Sequence, residues 1–219
     1  MEVRRTGAFT GREVQLVLLR RMADLQEPLV EDALRRLGSS RGEMREANRR
    51  WNAATFGRPG PARHSRFARA LGAPALDHEP APGHDTAYRS AWPLPLWPGL
   101  WLQVVVDAAD VVWHTGLVRA VGATTPVLRT AADARPWFCV LAECVAAYDD
   151  VTFHDVDLTG HEAITCTAAG PDGVLGRWLM RSVWGLLQRV EPAAEGRSAS
   201  TPAGAGSISG GDLRGVEQR

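Results

Sequence analysis

Lysine is absent from this chain of 219 residues, and all 25 of its basic residues are arginine. The absence excludes chemistry that needs a lysine amine, such as a Schiff base or the phosphate-binding lysine of a Walker loop. Cysteine is scarce, and three residues, an odd number, favour reduced and buried thiols over a disulfide framework. No motif in the sequence has the neighbouring secondary structure that a cofactor-binding or metal-binding site needs, so we expect neither a cofactor nor a metal ion.

Long apolar runs are missing as well. A membrane-spanning helix needs about 18 to 20 apolar residues, and the longest candidate, 92–113, is broken by prolines and aspartates. The charged N-terminal residues are not followed by the apolar segment of a secretory signal. We therefore expect a soluble, cytoplasmic protein that makes no membrane contact.

Residues 1–72 are predicted to form an arginine-rich helical region. Apolar side chains at spacings of four and three residues predict its first helix. They are Val14, Leu18, Met22 and Leu25. Pro28 fits the first turn of a second helix, which Gly38 would end. Ser40 and Glu43 have the spacing of a capping box and predict the start of a third helix.

Two segments, one before and one after residues 99–192, have compositions that do not favour helices or strands. Residues 73–98 contain six prolines, which neither a helix nor a central strand tolerates, so we expect an extended connector rich in proline and tryptophan. Residues 193–219 offer almost nothing to bury and are predicted to be a disordered tail.

Residues 99–192 read as two successive strand–strand–helix units. Valine-rich and tryptophan-rich segments predict hairpins over 100–118 and 151–167. Helices are predicted over 136–148, after a proline suited to a first turn, and over 174–190, where leucine and valine recur at helical spacing. The expected fold class is α+β, with the helical N-terminal part followed by a four-stranded antiparallel sheet that two helices cover.

The strongest local charge lies at 41–69, where eight arginines face two glutamates, a local charge of +6. Guanidinium groups suit carboxylates and phosphates, and interleaved aromatic rings add stacking surfaces. We predict that Arg45, Arg49, Arg50 and Trp51 contact an acidic partner. The alternative is a solvated helix face, with Trp51 part of the apolar stripe of the same helix.

A second group of candidate binding residues comes from the predicted last helix. There Arg177, Arg181 and Trp184 lie at spacings of four and three, which would place the tryptophan on a polar face beside two arginines. An exposed tryptophan next to arginine is typical of an interface anchor. The alternative is that another part of the chain covers this ring.

A cluster of imidazoles and carboxylates near the second predicted hairpin is the second candidate, and it could carry chemistry. It consists of His154, Asp155, Asp157, His161 and Glu162. Such groups serve in metal binding and acid–base catalysis, with His78 or His84 as further ligands. Strand alternation separates His154 from the two aspartates, and polar residues are expected at a hairpin tip in any case.

The sequence therefore favours a non-enzymatic binding or assembly module that contacts an acidic partner, protein or nucleic acid, through an arginine and aromatic surface. The alternative is a small enzyme or metal-binding protein that uses the histidine and carboxylate cluster.

Overall fold

The computed structural model describes residues 9–56, 64–82 and 86–193. The tail predicted at 193–219 lies outside them except for its first residue. Within these ranges the chain is a mixed α+β protein, as predicted. Its helices are α1 (Gly11–Met22), α2 (Glu27–Arg36), α3 (Arg41–Phe56), α4 (His64–Leu71) and α5 (Leu141–Ala147). Its strands are β1 (Leu76–Pro80), β2 (Ala87–Leu94), β3 (Trp97–Asp107), β4 (Val112–Arg119), β5 (Asp149–His154), β6 (His161–Ala169), β7 (Leu175–Val183) and β8 (Leu186–Pro192).

The three helices predicted in the N-terminal region are present, and α4 follows them. Side-chain caps explain two of the starts. Thr10 and Glu13 form a capping box before α1. Ser40 does the same before α3, where its amide donates to Glu43 Oε2 at 2.8 Å and its Oγ accepts from the Glu43 amide at 3.2 Å. These bonds satisfy amides that the first turn of a helix leaves unpaired.

The prediction of one sheet covered by two helices was wrong. Instead, there are two antiparallel sheets of four strands each, β1-β2-β3-β4 and β5-β6-β7-β8. The connector predicted at 73–98 contains two strands of the first sheet. Its prolines are tolerated because Pro80 ends the edge strand β1, while Pro93 lies where the pairing of β2 with β3 shifts register.

The helix predicted over 174–190 is also wrong, because this segment is the hairpin of β7 and β8. Trp184 and Gly185, both with positive φ, form its two-residue turn between Val183 and Leu186. Such a turn matches the twist of paired strands. The leucine spacing fits a helix too, but β7 pairs along its whole length with β6, and this non-local pairing overrides the local pattern.

The helix predicted over 136–148 begins later, at Leu141. The preceding residues pair with β8 instead, since Trp137 donates its amide to the Leu187 carbonyl at 2.9 Å and Leu187 donates to the Cys139 carbonyl at 3.0 Å. Trp137 has a φ of 61°, outside the helical region. The residues that would form the first turn of the predicted helix therefore pair with the second sheet instead.

Two groups of buried side chains hold these layers together. The first joins α1 to α4 with the inner side of the first sheet, and Val183 and Leu186 extend it to the β7–β8 turn. The second fills the space between the second sheet and α5, and contains Cys139, Cys144 and Cys166, all unpaired thiols. None of the helices in the described ranges has the length and hydropathy needed to cross a bilayer.

Candidate functional site

A cleft of about 290 Å³, here called the inner cleft, lies between the helical layer and the second sheet. The helices α1 and α3 form one wall, and β6, β7 and the loop before β6 form the other. Its polar lining side chains are Arg20, Arg21, Asp24, Asn48, His161, Glu162, Arg181 and Ser182. Three arginines thus face two carboxylates, and the lining has one net positive charge.

Arg21 is the least compensated of these arginines. One guanidinium nitrogen donates to Asn52 Oδ1 at 2.8 Å, a neutral partner, while its buried Nε has no hydrogen-bond partner among the described residues. Burial lowers the pKa of Arg21, and the neighbouring charge of Arg20 lowers it further. Arg20 itself has a carboxylate at 3.4 Å, that of Asp24.

His161 and Glu162 enter the cleft from the start of β6. Burial lowers the pKa of His161, and the charge of Arg21 adds to this effect, although Asp24 opposes it. The net effect favours the neutral form of the imidazole. Glu162 Oε2 accepts hydrogen bonds from Ser182 Oγ at 2.6 Å and from the Gly185 amide at 3.1 Å, which fixes its carboxylate against the β7–β8 turn.

A second cleft of about 460 Å³, the outer cleft, adjoins the first and shares Arg20, Asp24 and Leu25 with it. Arg41, Arg45 and Arg189 also line it, with Glu27 as the further carboxylate. Arg41 forms ion pairs with Glu27, at 2.6 Å, and with Glu31. Arg45 is exposed and has no hydrogen-bond or ion-pair partner within the described ranges.

Two arginines at the junction of the clefts share one carboxylate. Glu191 lies 3.5 Å from Arg181, in the inner cleft, and 3.9 Å from Arg189, in the outer cleft. Both distances are long for an ion pair, and one carboxylate neutralises one guanidinium. This junction consequently keeps an excess of positive charge.

Of the residues predicted on α3, Arg45 lines a cleft and the other three lie elsewhere. Arg49 is ion-paired with Glu46 on the helix surface. Arg50 is ion-paired with Glu13 and lies over the ring of Phe9. Trp51 is 6% exposed and packs in the first core, as the apolar stripe of its helix implies.

The residues predicted on the last helix are dispersed along the β7–β8 hairpin. Arg181 lines the inner cleft, whereas Arg177, four residues earlier on the same face of β7, lies outside the cleft, is exposed and donates to Thr165 Oγ1 at 2.9 Å. Trp184 is partly covered by the first core and lies directly over Gly160. The hairpin therefore separates three side chains that helical spacing brought together.

The predicted histidine and carboxylate cluster is divided in the same way, and only His161 and Glu162 line a cleft. His154 is exposed at the end of β5, with its Nε2 at 3.0 Å from Thr165 Oγ1, and Asp155 and Asp157 are exposed in the loop that follows. The described residues contain no group of three or more histidine, cysteine or carboxylate side chains that could hold a metal ion.

The two histidines considered as further ligands add nothing to this cluster. His78 stacks on Tyr88, with ring centroids 4.3 Å apart, and lines neither cleft. His84 lies outside the described residues.

Sequence reasoning missed Arg20, Arg21, Asn48 and Arg189. The first two end α1, where basic residues are expected for helix stability alone. Their adjacency is no signal either, because Arg35 and Arg36, the adjacent arginines that end α2, are both exposed. Without the position of β6 and β7, nothing in the sequence indicates what Arg20 and Arg21 face.

Comparisons of the chain with family models, with curated proteins and with solved structures give no match. Its function has to be inferred from its own side chains.

Proposed function

We propose that this protein is a non-enzymatic binding module that holds an acidic segment of a protein partner against the inner and outer clefts. The observation that carries the proposal is the convergence of six arginines from four different elements on two adjoining clefts. They are Arg20, Arg21, Arg41, Arg45, Arg181 and Arg189. Three carboxylates share the same lining, and two more, Glu31 and Glu191, pair with its arginines from outside, which leaves one net positive charge.

The distribution of that charge supports a partner more than internal stability. Arginines that merely stabilise a surface pair with neighbouring carboxylates, as Arg49 does with Glu46. In the clefts Arg45 has no carboxylate partner among the described residues, and Arg181 and Arg189 share Glu191. Complementary charge on a partner would complete these interactions and speed its association.

The lining favours an acidic protein segment over a nucleic acid. Single-stranded nucleic acids are held by aromatic rings that stack on the bases, and the described residues lining the two clefts include no phenylalanine, tyrosine or tryptophan. Leu25, which lines both clefts and is partly exposed, provides apolar surface of the kind that protein interfaces use.

Retention on immobilised poly-glutamate tests the proposal, with Arg45→Glu as the variant and Arg129→Glu as the matched control. Both arginines are exposed, and both substitutions change the charge by the same amount, but Arg129 lines neither cleft. We expect Arg45→Glu to elute at clearly lower salt than the wild type and the control. Equal elution of all three proteins would contradict the proposal.

The same column experiment with immobilised single-stranded and duplex DNA separates the two classes of partner. We expect weaker retention on DNA than on poly-glutamate at every salt concentration. Stronger retention on DNA, lost in Arg45→Glu, would replace the acidic protein partner with a nucleic acid.

A further inference from the structure

Arg21 is a partly buried cation that lacks an anion. Among the described residues no carboxylate lies within ion-pair distance of its guanidinium, and its Nε is buried without an acceptor. Removing a charge from water is costly unless an opposite charge compensates it. The two carboxylates of the inner cleft have other partners, since Asp24 pairs with Arg20 and Glu162 accepts from Ser182 and the Gly185 amide. An anion from a binding partner would therefore supply the counter-charge that Arg21 lacks.

The size of that missing charge follows from the lining. Arg20 has Asp24 at 3.4 Å and Arg181 has Glu191 at 3.5 Å, so Arg21 is the arginine of the inner cleft without a carboxylate partner among the described residues. A carboxylate, with one negative charge, matches this one guanidinium, whereas the dianion of a phosphate ester carries twice that charge. A planar carboxylate also accepts two parallel hydrogen bonds from a guanidinium.

The rim of the inner cleft is apolar. Leu25, Val156 and Leu158 line it, and the side chain of Leu158 is 61% exposed, an unusual position for a leucine next to a charged cleft. A group that enters beside this rim gains by carrying apolar surface, since burying such surface is favourable at about 25 cal/mol per Å².

We infer that the inner cleft binds a single carboxylate side chain, of glutamate or aspartate, whose neighbour in the partner sequence is apolar. The inference rests on the proposed function and deepens it, because it names the group that the inner cleft takes from the acidic segment. Arg21 and Arg181 hold the carboxylate, and Leu158 covers the apolar neighbour.

NMR titration of the full chain with short blocked peptides tests the inference. The probes are acetyl-Glu-Leu-amide, the same peptide with glutamine, and the same peptide with phosphoserine, all observed through the ring resonances of His161. We expect saturable shifts with the glutamate peptide alone. Shifts of equal size with the glutamine peptide, or no saturable shift with the glutamate peptide, would overturn the inference. Tighter binding of the phosphoserine peptide would overturn the choice of a carboxylate.

Variants then place the peptide in the cleft. Arg21→Gln and Arg181→Gln should each weaken binding of the glutamate peptide about tenfold or more, the loss expected when one charged partner of a hydrogen-bonded pair is removed. Leu158→Asn should weaken it less, and Arg129→Gln, outside the cleft, should not change it. Arg181 is partly exposed, so its variant remains informative if Arg21→Gln fails to fold. Unchanged binding in Arg181→Gln contradicts the inference.

The outcomes for the two proposals are distinguishable. In one outcome the glutamate peptide binds, but Arg45→Glu elutes from poly-glutamate at the same salt concentration as the wild type. This outcome would support the inner-cleft site and contradict the wider binding surface. Retention that depends on Arg45, with no peptide binding, would do the reverse.

Discussion

The amide nitrogen of Leu96 donates a hydrogen bond to Oε1 of Gln15, a residue 81 positions earlier, at 2.9 Å. Both residues are buried, and the bond joins α1 to the turn between β2 and β3. It satisfies an amide that has no partner within the sheet.

Replacing Gln15 with leucine should therefore destabilise the protein. The substitution keeps the size of the side chain but leaves the Leu96 amide buried and unpaired, which costs about 1 to 3 kcal/mol. Urea unfolding followed by circular dichroism measures the difference. As a control, Gln103→Leu changes a partly exposed glutamine of β3 and should cost less. An equal loss in both variants would mean that the hydrogen bond contributes nothing.

Gly160→Ala tests the contact between the loop before β6 and the β7–β8 turn. A Cβ at Gly160 would lie 2.0 Å from the indole nitrogen of Trp184, and the φ of Gly160 is 78°. Gly173→Ala is the matched control, since its φ is 79° and nothing lies within 4 Å of its Cβ. The control should lose about 1 to 2 kcal/mol from backbone strain alone, and Gly160→Ala clearly more. Equal melting temperatures would show that Trp184 moves aside freely.

Arg119 and Glu143 form a bidentate ion pair at 2.7 and 2.9 Å that joins β4 to α5, with side chains only 15% and 9% exposed. Glu143→Gln leaves a buried guanidinium without its counter-charge, which should cost about 3 to 5 kcal/mol. By contrast Asp32→Asn, which breaks the exposed pair with Arg35, should cost about 0 to 1 kcal/mol. Chemical denaturation compares the two, and similar losses would contradict the structural role of the buried pair.

The pKa of His161 lies below the ordinary value of a histidine, first because of burial and second because of Arg21. The folded state thus binds the proton more weakly than the unfolded state does. Stability is retained above the unfolded pKa, about 6.5, and lost as the pH falls from there toward the folded pKa. NMR pH titration should show a higher pKa in Arg21→Gln than in the wild type, and an unchanged pKa in Arg129→Gln. If the pKa of His161 is the same in Arg21→Gln as in the wild type, the guanidinium of Arg21 does not lie close enough to the imidazole to affect it.

The local signals in the sequence were sufficient for α1 to α3 and for the hairpins of β3 with β4 and β5 with β6. Caps, stripes and turn residues determine these elements within a few residues of chain. They failed for β7 and β8, because the leucines and valines at 175, 179, 183, 186 and 190 satisfy helical spacing although the segment pairs as strands, and only the presence of β6 decides between them.

The candidate site was predictable only in pieces. Arg45, Arg181, His161 and Glu162 attract attention by charge, but the sequence assigned them to three separate clusters. Their common location depends on how α1 and α3 pack against the second sheet, which involves contacts between residues more than a hundred positions apart. No local pattern in the sequence distinguishes Arg21, because what matters is that it has no carboxylate partner among the described residues.

The two-residue turn of Trp184 and Gly185 connects distant parts of the molecule. Trp184 accepts a hydrogen bond from the Leu117 amide at 2.7 Å and donates its own amide to the Gly160 carbonyl at 2.6 Å, while the Gly185 amide donates to Glu162 in the inner cleft. These hydrogen bonds connect β4, a strand of the first sheet, to the wall of the inner cleft that the second sheet forms. The rate at which the Leu117 amide exchanges its proton with deuterated water should consequently slow when the cleft is filled, which makes this amide a remote gauge of occupancy.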